Sequence, residues 1–129
     1  MTEIIPDVFI GGEAESKDFA FLKGNRITHI LSAGAEFDRA FPYHQLTYLL
    51  INATQSPGFV FYKRFDEIAR FVLEGSTNRN RILIHDNDGT NRAATCLLAY
   101  LLRADGYTLN EAIALVKVKR SDINPNQGK

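Results

Sequence analysis

The run Ile84-His85-Asp86-Asn87-Asp88-Gly89-Thr90-Asn91-Arg92-Ala93 gathers the residue types from which an anion cradle is built. A tight loop between a strand and a helix turns successive backbone N–H groups inward and makes a nest for an oxyanion. The N-terminus of the helix behind it adds partial positive charge. Gly89 permits the backbone angles that such a loop demands. Arg92 offers two parallel N–H donors, for which a bound phosphate and Asp86 itself compete. Asp86 and Asp88 bring negative charge into the same loop, which lowers the expected affinity for phosphate.

Such a loop needs a buried strand in front of it and a buried helix behind it, and the chain supplies both. Arg81-Ile82-Leu83-Ile84 is a short apolar run, as are Val8-Phe9-Ile10, Ile27 to Leu31 and Leu46 to Ile51. Runs of this length suit strands covered on both faces of a parallel sheet. Ala93 to Leu102 is apolar nearly all round, which predicts a central buried helix. Phe61, Phe65, Ile68, Ala69 and Val72 form one helical stripe before the strand at 81–84. Asp18 to Lys23 predicts a short helix stopped at Gly24-Asn25, and Thr108 with Glu111 makes a capping box for a last helix. This alternation predicts an α/β fold with a central, mostly parallel sheet flanked by helices on both sides. Working sites in such sheets lie at the carboxyl ends of the strands, where the 85–92 loop falls.

His85, Gly89 and Arg92 match the H-C-x-x-G-x-x-R signature of the cysteine-based protein phosphatases. Three further elements narrow the resemblance. Ile4-Ile5-Pro6-Asp7-Val8-Phe9-Ile10-Gly11 looks like the opening strand of dual-specificity phosphatases, and Ile27-Thr28-His29-Ile30-Leu31 is similar to their second strand. Ile123-Asn124-Pro125-Asn126-Gln127-Gly128 resembles their closing I-N-P-N-x-G element, whose asparagine, here Asn126, braces the phosphate loop. Four elements in the right order carry far more weight than any one. Among relatives, the chain looks most like the pseudophosphatases that bind phosphoserine, phosphothreonine or phosphotyrosine proteins.

The resemblance implies a two-step mechanism, and the chain departs from it at three places. In the family a cysteine thiolate attacks phosphorus, an aspartic acid protonates the leaving oxygen, and water then hydrolyses the phosphocysteine. The nucleophile position holds Asp86, whose carboxylate is a poor nucleophile and repels a phosphate dianion. The general-acid position aligns with Ala53, in a loop from Ile51 to Gly58 that contains no carboxylate. A general acid contributes roughly 10²–10⁴ in rate. The nearest carboxylates, Asp66 and Glu67, are expected on the following helix. Ala93 stands directly after the arginine, where the family usually has a serine or threonine that assists the thiolate. No catalytic set is intact. His85, the family's thiol-tuning residue, is then expected to be a hydrogen-bonded structural residue. A single exchange at Asp86 would fit an engineered inactive enzyme, whereas three losses fit a chain released from catalysis.

The remaining features are bland. Cys96 falls in the apolar helix and reads as a small core residue. Tyr43, His44 and Tyr48 are explained by packing. Fifteen basic and fifteen acidic residues cancel, so no global field directs the chain to nucleic acid or an acidic membrane. A lone cysteine excludes an internal disulfide and favours a cytoplasmic setting, with a nuclear one as the alternative. No start resembles a signal peptide and no run reaches the length of a membrane span.

These readings predict one domain over residues 1–129. Relatives continue past the N-x-G element with an aromatic residue and a last helix, so the domain is expected to lack that helix if the chain ends at Lys129. Enzymatic activity is not expected, nor is a cofactor or metal. The expected role is a regulatory module that holds a phosphoprotein, or that engages an active phosphatase or kinase. The alternatives are a weak or engineered-inactive phosphatase, and an interaction scaffold whose cradle Asp86 has sealed.

Overall fold

Burial of the apolar runs on both faces of one sheet sets the layered architecture of this protein. The computed structural model describes residues 2–33, 46–51, 64–85, 92–104 and 106–119. Five strands are present among them: β1 (Thr2–Ile5), β2 (Val8–Gly11), β3 (His29–Ala33), β4 (Thr47–Ile51) and β5 (Ile82–His85). The helices are α1 (Glu13–Ser16), α2 (Phe19–Gly24), α3 (Phe65–Glu74), α4 (Arg92–Arg103) and α5 (Leu109–Lys119). The sheet order is β1-β2-β5-β3-β4, and only the β1–β2 pair is antiparallel. β5 lies between β2 and β3, and all four of its residues are buried.

Alternation along the strands divides the core in two. Val8, Ile10, Leu31, Ile82 and Ile84 join the larger cluster with residues of α3, α4 and α5. Phe9, Ile30 and Leu83 point the other way, against Leu22 of α2 and Ile27. Helices therefore cover both faces, as the sequence pattern requires. α4 is the central helix: Leu97 and Leu101 are fully enclosed and Tyr100 nearly so. The capping box forms as expected, with the Thr108 N–H donating to Glu111 Oε1 at 2.8 Å and the Glu111 N–H to Thr108 Oγ1 at 3.2 Å. Asp18 caps α2 by accepting from the Phe21 N–H at 3.0 Å.

Two features differ from the sequence reading. The segment read as one opening strand from Ile4 to Gly11 is a hairpin of β1 and β2, turned at Pro6–Asp7 with Asp7 at φ 69°. Proline removes a ladder donor there and aspartate tolerates the left-handed angle. The run from Ile27 becomes β3 only at His29, because both Thr28 and His29 donate their N–H groups to the Arg81 carbonyl, at 2.8 and 3.1 Å.

Arg81 locks the amino ends of the inner strands. Its Nε donates to the Asn25 carbonyl at 2.8 Å, and its Nη1 pairs with Asp7 Oδ1 at 3.1 Å. Its guanidinium lies 4.7 Å from the centre of the Phe9 ring. The Arg81 N–H also donates to Thr28 Oγ1 at 3.0 Å. One side chain thus ties the turn before β2, the segment before β3 and the start of β5.

His29 packs beside this corner. Its residue surface is 6% exposed, its ring meets Phe71 edge-on at 5.4 Å, and Nδ1 shares a hydrogen bond with Thr28 Oγ1 at 2.9 Å. Gly75 packs closely opposite it: a Cβ there would lie 3.0 Å from His29 Cβ and 3.1 Å from Ile82 Cβ, so a larger residue would need these neighbours to shift. Burial pushes the His29 imidazole below the ordinary histidine value of 6.5, and the Glu74 carboxylate, 3.7 Å away, only partly offsets this. A depressed histidine binds its proton more weakly folded than unfolded, so its contribution is complete above pH 6.5 and declines as pH falls toward the lowered value. The melting temperature should therefore drop on acidification below 6.5, and His29→Leu should flatten that slope. Equal slopes in thermal melts of the two proteins would refute this assignment.

Candidate functional site

The carboxyl ends of β2, β3 and β5 come level at one corner of the sheet. In the ladder, Gly11 pairs with His85 on one side and Ser32 pairs with His85 on the other. His85 shares the face of Leu83, and Ser32 the face of Ile30, so both side chains lie on the α1–α2 side. They meet there: Ser32 Oγ and His85 Nε2 share a hydrogen bond of 2.6 Å, with the two residues 1% and 3% exposed. This bond satisfies two buried polar groups at once. Beside it, Glu15 folds back and accepts from the Gly12 N–H at 2.7 Å, closing the first turn of α1.

α4 begins the other side of the site. Arg92 opens the helix, and Ala93 and Ala94 directly behind it are fully buried. No acidic residue occupies the first turn, so the helix dipole there is not offset from within the helix. At Ala93 the structure has an enclosed methyl group and no hydroxyl. Asp86, Asn87, Asp88, Gly89, Thr90 and Asn91 lie outside the described residues, as do Ala53 with its loop, Asn126, Tyr43 and His44. Of the expected loop residues, the structure therefore describes His85, where the chain leaves the sheet, and the Arg92 backbone, where it enters the helix.

Asp66 and Glu67 are both on α3, as expected, and both are engaged. Asp66 Oδ1 pairs with Arg103 Nη1 at 2.8 Å. Glu67 Oε1 accepts from Arg64 Nε at 2.7 Å, and that hydrogen bond holds its carboxyl below the usual range. A general acid must keep its proton near neutral pH, which is the opposite requirement. Arg64 also donates from Nη1 to the Leu50 carbonyl at 3.2 Å, which fixes the start of α3 against the carboxyl end of β4.

Two residues at this end of the sheet escaped the sequence reading. Ser32 looks like an ordinary break in an apolar strand until β3 is set beside β5 in register. Arg64 precedes its helix by one residue and belongs to no motif. Among the described residues, no group of three His, Cys, Asp or Glu side chains could hold a metal ion. No described helix is long and apolar enough to cross a membrane. Tyr48 packs, half-buried, against the smaller core cluster.

The profile of the family described as dual specificity phosphatase, catalytic domain, matches residues 8–129. The chain is 34% identical over 128 residues to a probable rhodanese domain-containing dual specificity protein phosphatase of Dictyostelium discoideum. That match covers 98% of this chain and 27% of the relative, so the chain spans about a quarter of that protein's length. The crystal structure of DUSP15 superposes with a TM-score of 0.85 at 29% identity, covering 99% of this chain and 81% of that one. The human tyrosine phosphatase-like serine/threonine/tyrosine-interacting protein superposes with a TM-score of 0.80 at 26% identity, covering 99% and 89%.

Cys96, inside α4, is fully buried. It should resist iodoacetamide in the native protein and react completely once guanidinium unfolds the chain. Prompt alkylation of the native protein, followed by mass spectrometry, would contradict its placement in the core.

Proposed function

This chain belongs to the dual specificity phosphatase catalytic domain family, and within it we propose a non-catalytic role: a pseudophosphatase that binds phosphoproteins or regulates their partners. The observation that carries the reading is Asp86, which stands at the nucleophile position while His85, Gly89 and Arg92 of the cradle are kept. A carboxylate there sets negative charge against the phosphate dianion that a thiolate would attack. Two observations from the structure support it. Ala93 presents no hydroxyl beside the cradle, and the carboxylates nearest the general-acid loop are tied to Arg103 and Arg64. The similar human protein described as phosphatase-like and interacting offers a precedent for such a role on this fold. A phosphorylated protein, or an active phosphatase or kinase, is the class of partner proposed, in a cytoplasmic setting.

A sealed cradle is the second reading, favoured by the two carboxylates, Asp86 and Asp88, that precede Arg92 in the same short run of sequence. Titration with phosphotyrosine and phosphothreonine peptides separates the two. Binding that is lost in Arg92→Ala supports holding, and no binding at millimolar peptide supports sealing. In a sensitive phosphatase assay the wild type should stay at background. Turnover that disappears in Arg92→Ala would overturn the non-catalytic reading.

Restoring the lost groups should be stepwise. Asp86→Cys alone should give little turnover, and adding Ala53→Asp should raise it by roughly 10²–10⁴. Full family-like rates from Asp86→Cys alone would mean that position 86 was the only lesion.

A further inference from the structure

β3 is buried along its whole length, and four of its five residues have natural reasons to be there. His29 packs at the amino end, and Ile30, Leu31 and Ala33 fill the core. Ser32 does not: it is 1% exposed in the middle of a sheet, where a β-branched apolar residue suits the pleat better. A buried hydroxyl costs stability unless it is hydrogen-bonded, and the partner of this one is the last residue of the neighbouring strand.

We infer that Ser32 is a positioning residue for the phosphate cradle, acting through His85. The inference rests on the reading of residues 85–92 as that cradle. The ladder sets Ser32 and His85 side by side, and their 2.6 Å bond fixes the orientation of the imidazole ring. His85 is the residue from which the chain leaves the sheet toward Asp86. The bond lies on the α1–α2 face, whereas Ala93 and Ala94 at the far end of the loop are buried in the cluster on the opposite face. The two ends of the loop are thus held from opposite sides of the sheet. Ser32 belongs to a neighbouring strand and supplies the grip at the first end without being part of the loop. Pre-setting that end lowers the ordering cost when an oxyanion is captured.

The test uses the full chain, tungstate as an inorganic oxyanion, and a phosphotyrosine peptide. Ser32→Ala should weaken both by about five- to twentyfold, and Ser32→Thr, which keeps the hydroxyl, should stay within about threefold of wild type. The side-chain nitrogen signals of His85 should shift in Ser32→Ala and stay near their wild-type positions in Ser32→Thr, a pattern that a purely structural role elsewhere in β3 would not cause. Unchanged affinity in folded Ser32→Ala overturns the inference. If Ser32→Ala does not fold, Ser32→Cys, close in volume and a weak donor, is judged by the same criteria.

If the wild type takes up neither probe, phosphate holding fails, but Ser32 remains testable in the Asp86→Cys variant. Its new thiol is titrated by the pH dependence of iodoacetamide alkylation, with the buried Cys96 of the wild type as the baseline. Adding Ser32→Ala should move the alkylation midpoint by at least about half a pH unit. An unmoved midpoint overturns the inference independently of any phosphate binding.

Discussion

The register of β5 between β2 and β3 is the constraint on which the rest of the site depends. Four consecutive residues, Ile82 to His85, are buried and paired on both sides. A slip of one residue would turn Ile82 and Ile84 off the α4 face and carry His85 to the wrong side of the sheet. That penalty fixes Gly11, His85 and Ser32 abreast. The corner from which the loop starts is therefore set by apolar packing along the whole strand, and the polar pair is its last consequence.

The two ends of the sheet handle polarity differently. At the amino ends the Arg81 guanidinium holds Asp7 and the Asn25 carbonyl while its backbone N–H holds Thr28, a cross-brace between segments far apart in sequence. Breaking it would release three elements together. At the carboxyl ends, among the described residues, the buried polar side chains Ser32 and His85 pair with each other. The charged braces lie outside that pair: Arg64 holds the Leu50 carbonyl and Glu67, and Asp66 reaches Arg103. Among the described residues, the Arg81 brace lies at the end of the sheet opposite the start of the loop. That division matches the general placement of sites on parallel sheets.

Much of this was legible in the sequence because it rests on local patterns. The apolar runs at Val8, Leu46 and Ile82 mark strands, the alanine- and leucine-rich run after Arg92 marks the buried helix, and Thr108 with Glu111 marks the start of α5. β1 was not legible as a separate strand, since the run from Ile4 to Gly11 is broken only by Pro6-Asp7, and the hairpin depends on the left-handed angle at Asp7. α1, four residues long, has no period to read. Ser32 and Arg64 were invisible for another reason. Each acts on a residue far off in the chain or on a backbone group, and no single-sequence pattern encodes which strand lies beside which. The phosphate signature itself was legible because its spacing is local to one loop.

The three departures from the family pattern differ in what they ask of the fold. At position 93 the surroundings are fully enclosed, so a hydroxyl there would need a buried partner, whereas the alanine needs none. Losing that hydroxyl costs the scaffold little. The Ser32–His85 bond has the opposite arithmetic. Removing His85 takes from the buried Ser32 hydroxyl the partner it has here, at a cost of about 1–3 kcal/mol. A chain that no longer needs a tuned thiol can shed the residue at 93 readily, yet cannot shed His85 without also replacing Ser32. The geometry of the corner is thus held by stability, independent of whether residue 86 can attack phosphorus. A loop that starts from residues fixed in this way keeps the same starting point whether it serves catalysis or binding, because a fold by itself does not decide the function it carries.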